Sequence, residues 1–279
     1  MGRALTEHCV ARGDQVFSYD HQTLDITNST LLNARLTQLR PDYVINCAAW
    51  TDVDGCEFDP VKANAVNAQG PENLALACRE ADAGFITIST DYVFDGTKDG
   101  FYTQRDQPEP LSAYGLSKLA GERRSQLALA RTIVVRTGFI FGSGGRNFLS
   151  TVVERAARGD TIKAIGDAWG TPTYAPHLAA RLRELADLNI PGVFHVVNSG
   201  EGASYEEFAR AAFEAAGLTG VKLEAVTMDS LDRPAPRPVN SRLKCVLSEA
   251  IGLQPLPFWK DALTEFAASQ IKVETLPHR

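Results

Sequence analysis

GFITISTDYVF, residues 84–94, runs through apolar and β-branched residues with little interruption until it meets the polar triplet Ser89–Thr90–Asp91. A strand with one wet face would alternate apolar and polar positions, whereas a run apolar on both faces reads as a parallel strand covered from both sides. Four further runs have this character: QVFSYD (15–20), DYVINCAA (42–49), TIVVRTGFIFG (132–142) and GVFHVVNS (192–199). Helical patterns separate them, at about 29–39, 60–82, 112–130, 146–158 and 175–188. Strand followed by helix, repeated, predicts an α/β fold with a doubly wound, Rossmann-like parallel sheet. Beyond residue 198 the pattern changes to a helix near 204–216, a short strand near 221–226, the Pro-rich DRPAPRPVNSRL (232–243) and a last helix near 258–269. This predicts a sheet domain over 1–140, joined again by 175–198, and a smaller lobe from 141–174 and 199–279.

Composition narrows the function classes. The 279 residues are 44% hydrophobic and 22% charged, which suits a globular chain with a sizeable core. A net charge of −6 and a pI near 5.4 argue against a general nucleic-acid or membrane-surface binder. No apolar run approaches the roughly 20 residues a bilayer span needs, and the N-terminus lacks a signal-peptide pattern, so a cytoplasmic protein is expected. The five cysteines are odd in number, widely spaced and without a Cys-x-x-Cys pair, which predicts buried free thiols and no metal site.

Ligands of such sheets sit at the carboxyl ends of the strands. Two exits are polar: NCAAWTDVD (46–54) and STDYVFDG (89–96). After the second comes SAYGLSKLAGE (112–122), in which Tyr114 and Lys118 stand four residues apart on one helix face. A phenol with a pKa near 10 can serve as a proton donor near neutrality when an adjacent ammonium stabilises its phenolate. Thr90 is placed to hydrogen-bond the oxygen that receives the proton. Tyr-x-x-x-Lys on its own more often marks a surface tyrosine beside a solvated lysine; the strand exit and the Pro-rich approach change its weight.

At these residues the chain resembles the extended short-chain dehydrogenase/reductase superfamily, and more closely the dTDP-4-dehydrorhamnose reductase family. The resemblance runs through LDIT (24–27), RPDYVINCAAWTDVDGCE (40–57), NAVNAQGPENLA (64–75), STDYVFDG, YGLSKLAGE, RTGFIFG (136–142), NFL (147–149), GTPTYAPHLA (170–179) and RPVNSRL (237–243), covering nearly the whole chain. It implies hydride transfer from NADPH or NADH to C4 of a nucleotide-linked 4-keto sugar, most directly dTDP-4-dehydrorhamnose. Tyr114 would be the proton donor, Lys118 the residue that lowers its pKa and holds the nicotinamide ribose, and Thr90 the carbonyl-polarising hydroxyl. Asp25 and Ile26 resemble the pair bordering the adenine, and Ala48 and Ala49 the small residues against which the cofactor lies, although tight packing accounts for them too. Asp20 sits where a carboxylate binds a ribose 2′-hydroxyl, which would favour NADH; a capping aspartate reads equally well. On the substrate side the resemblance points to Val53, Phe139, Asn147 and Arg237, the last as a diphosphate ligand or a surface ion-pair residue. Phe139 stands where the family's best-known members carry tryptophan, which puts the sugar or base in question. The family's magnesium carboxylates have no place assigned here. The nucleotide-sugar substrate is the expected partner, with a homodimer as the expected assembly. Two other readings stay open: a non-catalytic regulatory subunit resembling that of methionine adenosyltransferase, and a reductase or epimerase for another nucleotide sugar.

The family's chains begin with a buried strand and a Gly-x-x-Gly-x-x-Gly turn whose amides hold the cofactor pyrophosphate. Here Gly2 corresponds to the last glycine, at the head of a helix over Arg3–Arg12, and Asp20 follows it by 18 residues. The reading therefore expects about ten residues, including a central strand, to be absent, as a misplaced start or a truncation would leave them.

Overall fold

The computed structural model describes residues 1–145 and 148–274. Helix α1 (Gly2–Ala11) and helix α2 (Ser29–Leu39) precede strand β1 (Tyr43–Asn46). Helix α3 (Gly70–Glu80), strand β2 (Gly84–Thr90), helix α4 (Ala113–Ala128), strand β3 (Thr132–Thr137), helix α5 (Ala175–Leu188) and strand β4 (Gly192–His195) follow. The four strands form one parallel sheet in the order β1-β2-β3-β4, with Thr90 beside Thr137 and Arg136 beside His195.

Adjacent residues of β2 serve opposite faces, as the pleat requires. Phe85 packs with Leu32, Leu36, Leu74 and Cys78 under α2 and α3. Ile86 packs with Leu5, Cys9, Leu178 and Leu182 under α1 and α5. Both faces are covered, which is why the strand sequence is apolar throughout and the sheet is doubly wound. A further core joins Phe141, Leu149 and Phe208 with Phe213, Trp259 and Leu263. It lies among the helices Phe148–Ala157, Tyr205–Ala215 and Trp259–Glu274 and the parallel pair Ile162–Ile165 and Leu223–Val226.

Two expectations are corrected. No strand forms over 15–20: Phe17 and Tyr19 are 47% and 37% exposed. β1 pairs only with β2 and lies at the edge of the sheet, and the 15–20 run is not laid against its open side; an isolated apolar run does not make a strand. The single helix expected over 60–82 is broken into Pro60–Asn64, a π-helical turn Ala65–Gln69, and α3. An added helix, Val53–Phe58, precedes them, its start capped by Asp52 accepting from the Gly55 N–H at 3.0 Å. All five cysteines are free, with Cys9, Cys56 and Cys78 buried and Cys47 and Cys245 half-buried. No helix is long and apolar enough to cross a membrane among the described residues.

Candidate active site

The chemistry-bearing residues gather where β1 and β2 end and α4 begins. Ser112 caps α4, accepting from the Gly115 N–H at 3.2 Å, and Glu57 accepts from the Ala113 N–H at 2.9 Å. This start aims Tyr114 at the β2 exit, where it packs with Cys56 and Ala63 and, edge-on, with Tyr92. The Thr90 hydroxyl donates to Asp91 at 3.0 Å, accepts from the Tyr92 N–H at 3.2 Å and lies in reach of the Tyr114 phenol. One turn along α4, Lys118 donates to the Ile88 carbonyl at 2.7 Å. Thr90, Tyr114 and Lys118 are thus brought together.

Burial governs the charges. It pushes the Tyr114 phenol up, with the Thr90 hydroxyl opposing, so the group is held in the protonated form a donor needs. It pushes the Lys118 ammonium down to about 8, with Glu122 and then Cys47 pulling back. The acidifying influence expected of Lys118 is not among the main ones on Tyr114; after burial these are Thr90, Asp91, Tyr92 and Cys56. One of the ammonium hydrogens is donated to the Ile88 carbonyl. Asp91 is raised to about 6 by burial, against hydrogen bonds from Ser241 and Thr90.

Of the residues read as cofactor ligands, Gly2 opens α1 opposite Cys47, at the β1 exit that also carries Ala48 and Ala49. The first turn of α1 has no side-chain cap, and Lys118, close enough to Cys47 to feel it, has ammonium hydrogens beyond the one on Ile88, so uncommitted donors are available near this exit. These features fit a dinucleotide. Ile26 instead fills the space beside Gly70, where a Cβ would lie 2.5 Å from its side chain. The Asp20 carboxylate accepts from Gln22 and Thr23, closing its own turn, and Asp25 accepts from Thr27. Both aspartates are exposed in the Asx-turn geometry that the capping reading of Asp20 describes.

On the other side of Tyr114, Val53 packs against the Tyr114 cluster, and Asp54 binds Arg237 through both oxygens at 3.0 and 2.8 Å. Arg237 therefore has an internal partner. Phe139 adopts a left-handed backbone (φ 44°) and stacks on Tyr205 with centroids 4.3 Å apart. The Tyr205 and Tyr92 hydroxyls interact, with Arg233 and Arg237 close enough to act on Tyr92. Asn147 lies outside the described residues. Among the described residues, no three His, Cys, Asp or Glu side chains are grouped to hold a metal ion.

Sequence reasoning missed four members. Asn67, on the π-turn, accepts from the Trp50 N–H at 2.8 Å and donates to the Trp50 carbonyl and to Ser117, fixing the loop after β1 to α4. Tyr92, Tyr205 and the exposed Arg233 meet beside Phe139 and Arg237. A buried-type asparagine inside the helical pattern of NAVNAQG was the one available signal for Asn67; the others meet only through tertiary packing.

Comparison with known proteins places the whole chain in a family. A family model described as RmlD substrate binding domain matches residues 1–271. A dTDP-4-dehydrorhamnose reductase of Mycolicibacterium smegmatis is 38% identical over 278 residues, covering 99% of this chain and 84% of that one. A probable dTDP-4,6-dihydroxy-2-methyloxan-3-one 4-ketoreductase of Streptomyces antibioticus is 34% identical over 281 residues, covering 100% and 95%. Among solved structures, dTDP-4-dehydrorhamnose reductase of Bacillus anthracis in complex with NADP superposes with a TM-score of 0.93 at 31% identity, covering 96% of this chain and 95% of that one. With a fold and a whole-length match in common, the chain belongs to the RmlD substrate-binding-domain family, the family of the dTDP-4-dehydrorhamnose reductases.

Proposed function

We propose that this protein is an NAD(P)H-dependent reductase of the C4 keto group of a nucleotide-linked sugar, with dTDP-4-dehydrorhamnose as substrate and dTDP-rhamnose as product. The observation that carries the reading is the meeting of Thr90, Tyr114 and Lys118 at the β2 exit, beside the uncapped start of α1. The dinucleotide, when bound, supplies the hydride. Gly2, Ala48 and Ala49 line its crevice, and Lys118 donates to its ribose. Tyr114 holds the proton that the C4 oxygen takes up, and the Thr90 hydroxyl orients that oxygen. Val53 and Phe139 flank the sugar, while Arg233, beside the Asp54-bound Arg237, is the cation available to a diphosphate.

The test is to supply NADPH or NADH with dTDP-4-dehydrorhamnose and follow oxidation of the nicotinamide together with the sugar product by mass spectrometry. Phe139, stacked on Tyr205, favours a second reading in which another 4-keto nucleotide sugar is the better substrate; a panel of such sugars separates the two. Dinucleotide binding with no turnover on any of them would support the regulatory-subunit reading. The domain division at residue 140, a cytoplasmic location and a homodimer belong to the same proposal, and light scattering in solution tests the last.

A further inference from the structure

Tyr114, Lys118 and Glu122 occupy positions i, i+4 and i+8 of α4, one face of the helix, and all three are buried, at 8%, 4% and 2% exposure. The sequence motif accounts for the first two. Glu122 is one turn further from the reacting centre, so it does not reach substrate, yet a buried carboxylate needs a reason and a partner. Its partner is Arg136 on β3, which donates from Nε at 2.9 Å and from Nη2 at 2.7 Å in a two-pronged pair. Arg136 is itself fixed, its guanidinium 5.2 Å over the Phe94 ring with His195 of β4 alongside.

Lys118 makes no ion pair of its own among the described residues; its hydrogen bond is to the Ile88 carbonyl. A buried ammonium without a nearby anion loses its proton. Glu122 is the anion that acts on it. Because Arg136 grips both carboxylate oxygens, Glu122 cannot swing over and pair with Lys118 directly, which would draw the ammonium away from the cofactor crevice. We propose that the Glu122–Arg136 pair is a positioning device that keeps Lys118 charged and free to donate toward the cofactor.

The other groups around Lys118 leave this role to Glu122. Cys47, on the loop after β1, is pushed up to about 11 by burial and is a neutral thiol. Tyr114 is held as the phenol. His195, beside Arg136, is pushed down to about 3 and is neutral. Asp91 and Tyr92, from the turn after β2, act on Tyr114. With Lys118 already lowered to about 8, loss of the carboxylate a helical turn away, which also leaves the Arg136 guanidinium unopposed, moves it down by about one further pH unit, across the neutral range.

The inference rests on Lys118 being a cofactor ligand, and the experiment separates the two ideas. NADPH dissociation constants are measured by nucleotide fluorescence from about pH 6 to 9 for the unaltered protein, Lys118→Met, Glu122→Gln and Glu122→Asp. Glu122→Gln is expected to bind like the unaltered protein near pH 6 and about fivefold more weakly near pH 8, its alkaline limb displaced down by about one unit. Glu122→Asp, which keeps the charge, restores the limb. Lys118→Met weakens binding at every pH; if it binds as tightly as the unaltered protein, the reading of Lys118 fails whatever Glu122 does. A Glu122→Gln profile that is unshifted, or lowered equally at all pH, overturns the proposal. Should Glu122→Gln fold poorly because Arg136 is left unpaired, the neutral double variant Glu122→Gln/Arg136→Gln is measured in the same way. Failure of both to fold would show that the pair serves stability and would equally overturn it.

Discussion

Ser241 donates a hydrogen bond of 2.5 Å to the buried Asp91 carboxylate, joining residues 150 apart in sequence and fastening the Pro-rich 232–243 segment to the exit of β2. Asp91 also supports Thr90, and a Cβ on Gly138 would lie 2.4 Å from its Oδ2, so the carboxyl is enclosed by β2, β3 and the C-terminal segment together. The site is assembled on this junction.

The junction has a pH signature. Burial raises Asp91 from its ordinary 3.8 to about 6. A raised carboxyl stabilises the folded state while it is protonated: that contribution is full below the unfolded value and is lost as the pH rises through the folded one. A rise of about two units corresponds to roughly 3 kcal/mol. Asp91→Asn removes this dependence, so its melting temperature relative to the unaltered protein should rise between about pH 4 and 7. A constant difference across that range, measured by calorimetry, would refute the assignment.

Tyr114→Phe tests the chemistry. The substitution removes one oxygen from a packed aromatic cluster and leaves Lys118 and the α1 terminus in place. Turnover of the 4-keto sugar is expected to fall by about 10²-fold or more, with NADPH affinity nearly unchanged. Near-normal turnover in stopped-flow assays would remove Tyr114 from the role of proton donor.

What could be read without coordinates follows from the range of the interactions. β2 and α4 were legible because Phe85, Ile86, Tyr114 and Lys118 announce themselves by local period, and a strand covered on both faces looks the same in any parallel sheet. Residues 15–20 misled for the converse reason: their composition suits a strand, but strand formation depends on a partner laid beside them, which local sequence does not show. The role of Arg237 as the partner of Asp54, 183 residues away, and the clamp of Asn67 on Trp50 have no local signature. The same holds for Glu122 and Arg136, whose pairing depends on how α4 lies across β3.

The Asp54–Arg237 pair ties the loop after β1 to the C-terminal segment and lowers the Asp54 pKa through the Arg237 hydrogen bonds. Asp54 is about a third exposed, at 34%, so solvent screening limits the pair to roughly 1 kcal/mol or less. A lowered carboxyl stabilises above its unfolded value and loses that contribution as the pH falls through the folded one. Arg237→Met should therefore be less stable at neutral pH, with the gap closing below about pH 4. A double-mutant cycle with Asp54→Asn, read by urea unfolding, should return a coupling near that size; a coupling of zero would show that the contact carries no energy.

Gly121→Ala sets two effects of opposite sign against each other. In a helix interior alanine is favoured over glycine by about 1 kcal/mol, so propensity alone predicts a more stable α4. Gly121 faces the π-turn, however, and a Cβ there would stand 2.2 Å from the Asn67 carbonyl oxygen. That atom is backbone and cannot rotate aside, so the two helices must separate, and overpacking of this kind costs about 1–3 kcal/mol or more. Separation would also pull Asn67 from Trp50 and Ser117, to which it donates at 3.0 and 3.1 Å, loosening the loop that carries Ala48 and Ala49. The expected result is a net loss of stability in urea unfolding together with weaker NADPH binding. Replacement that leaves both unchanged, or that stabilises the protein as propensity alone predicts, would mean that the approach of α4 to the π-turn does not limit the residue at 121.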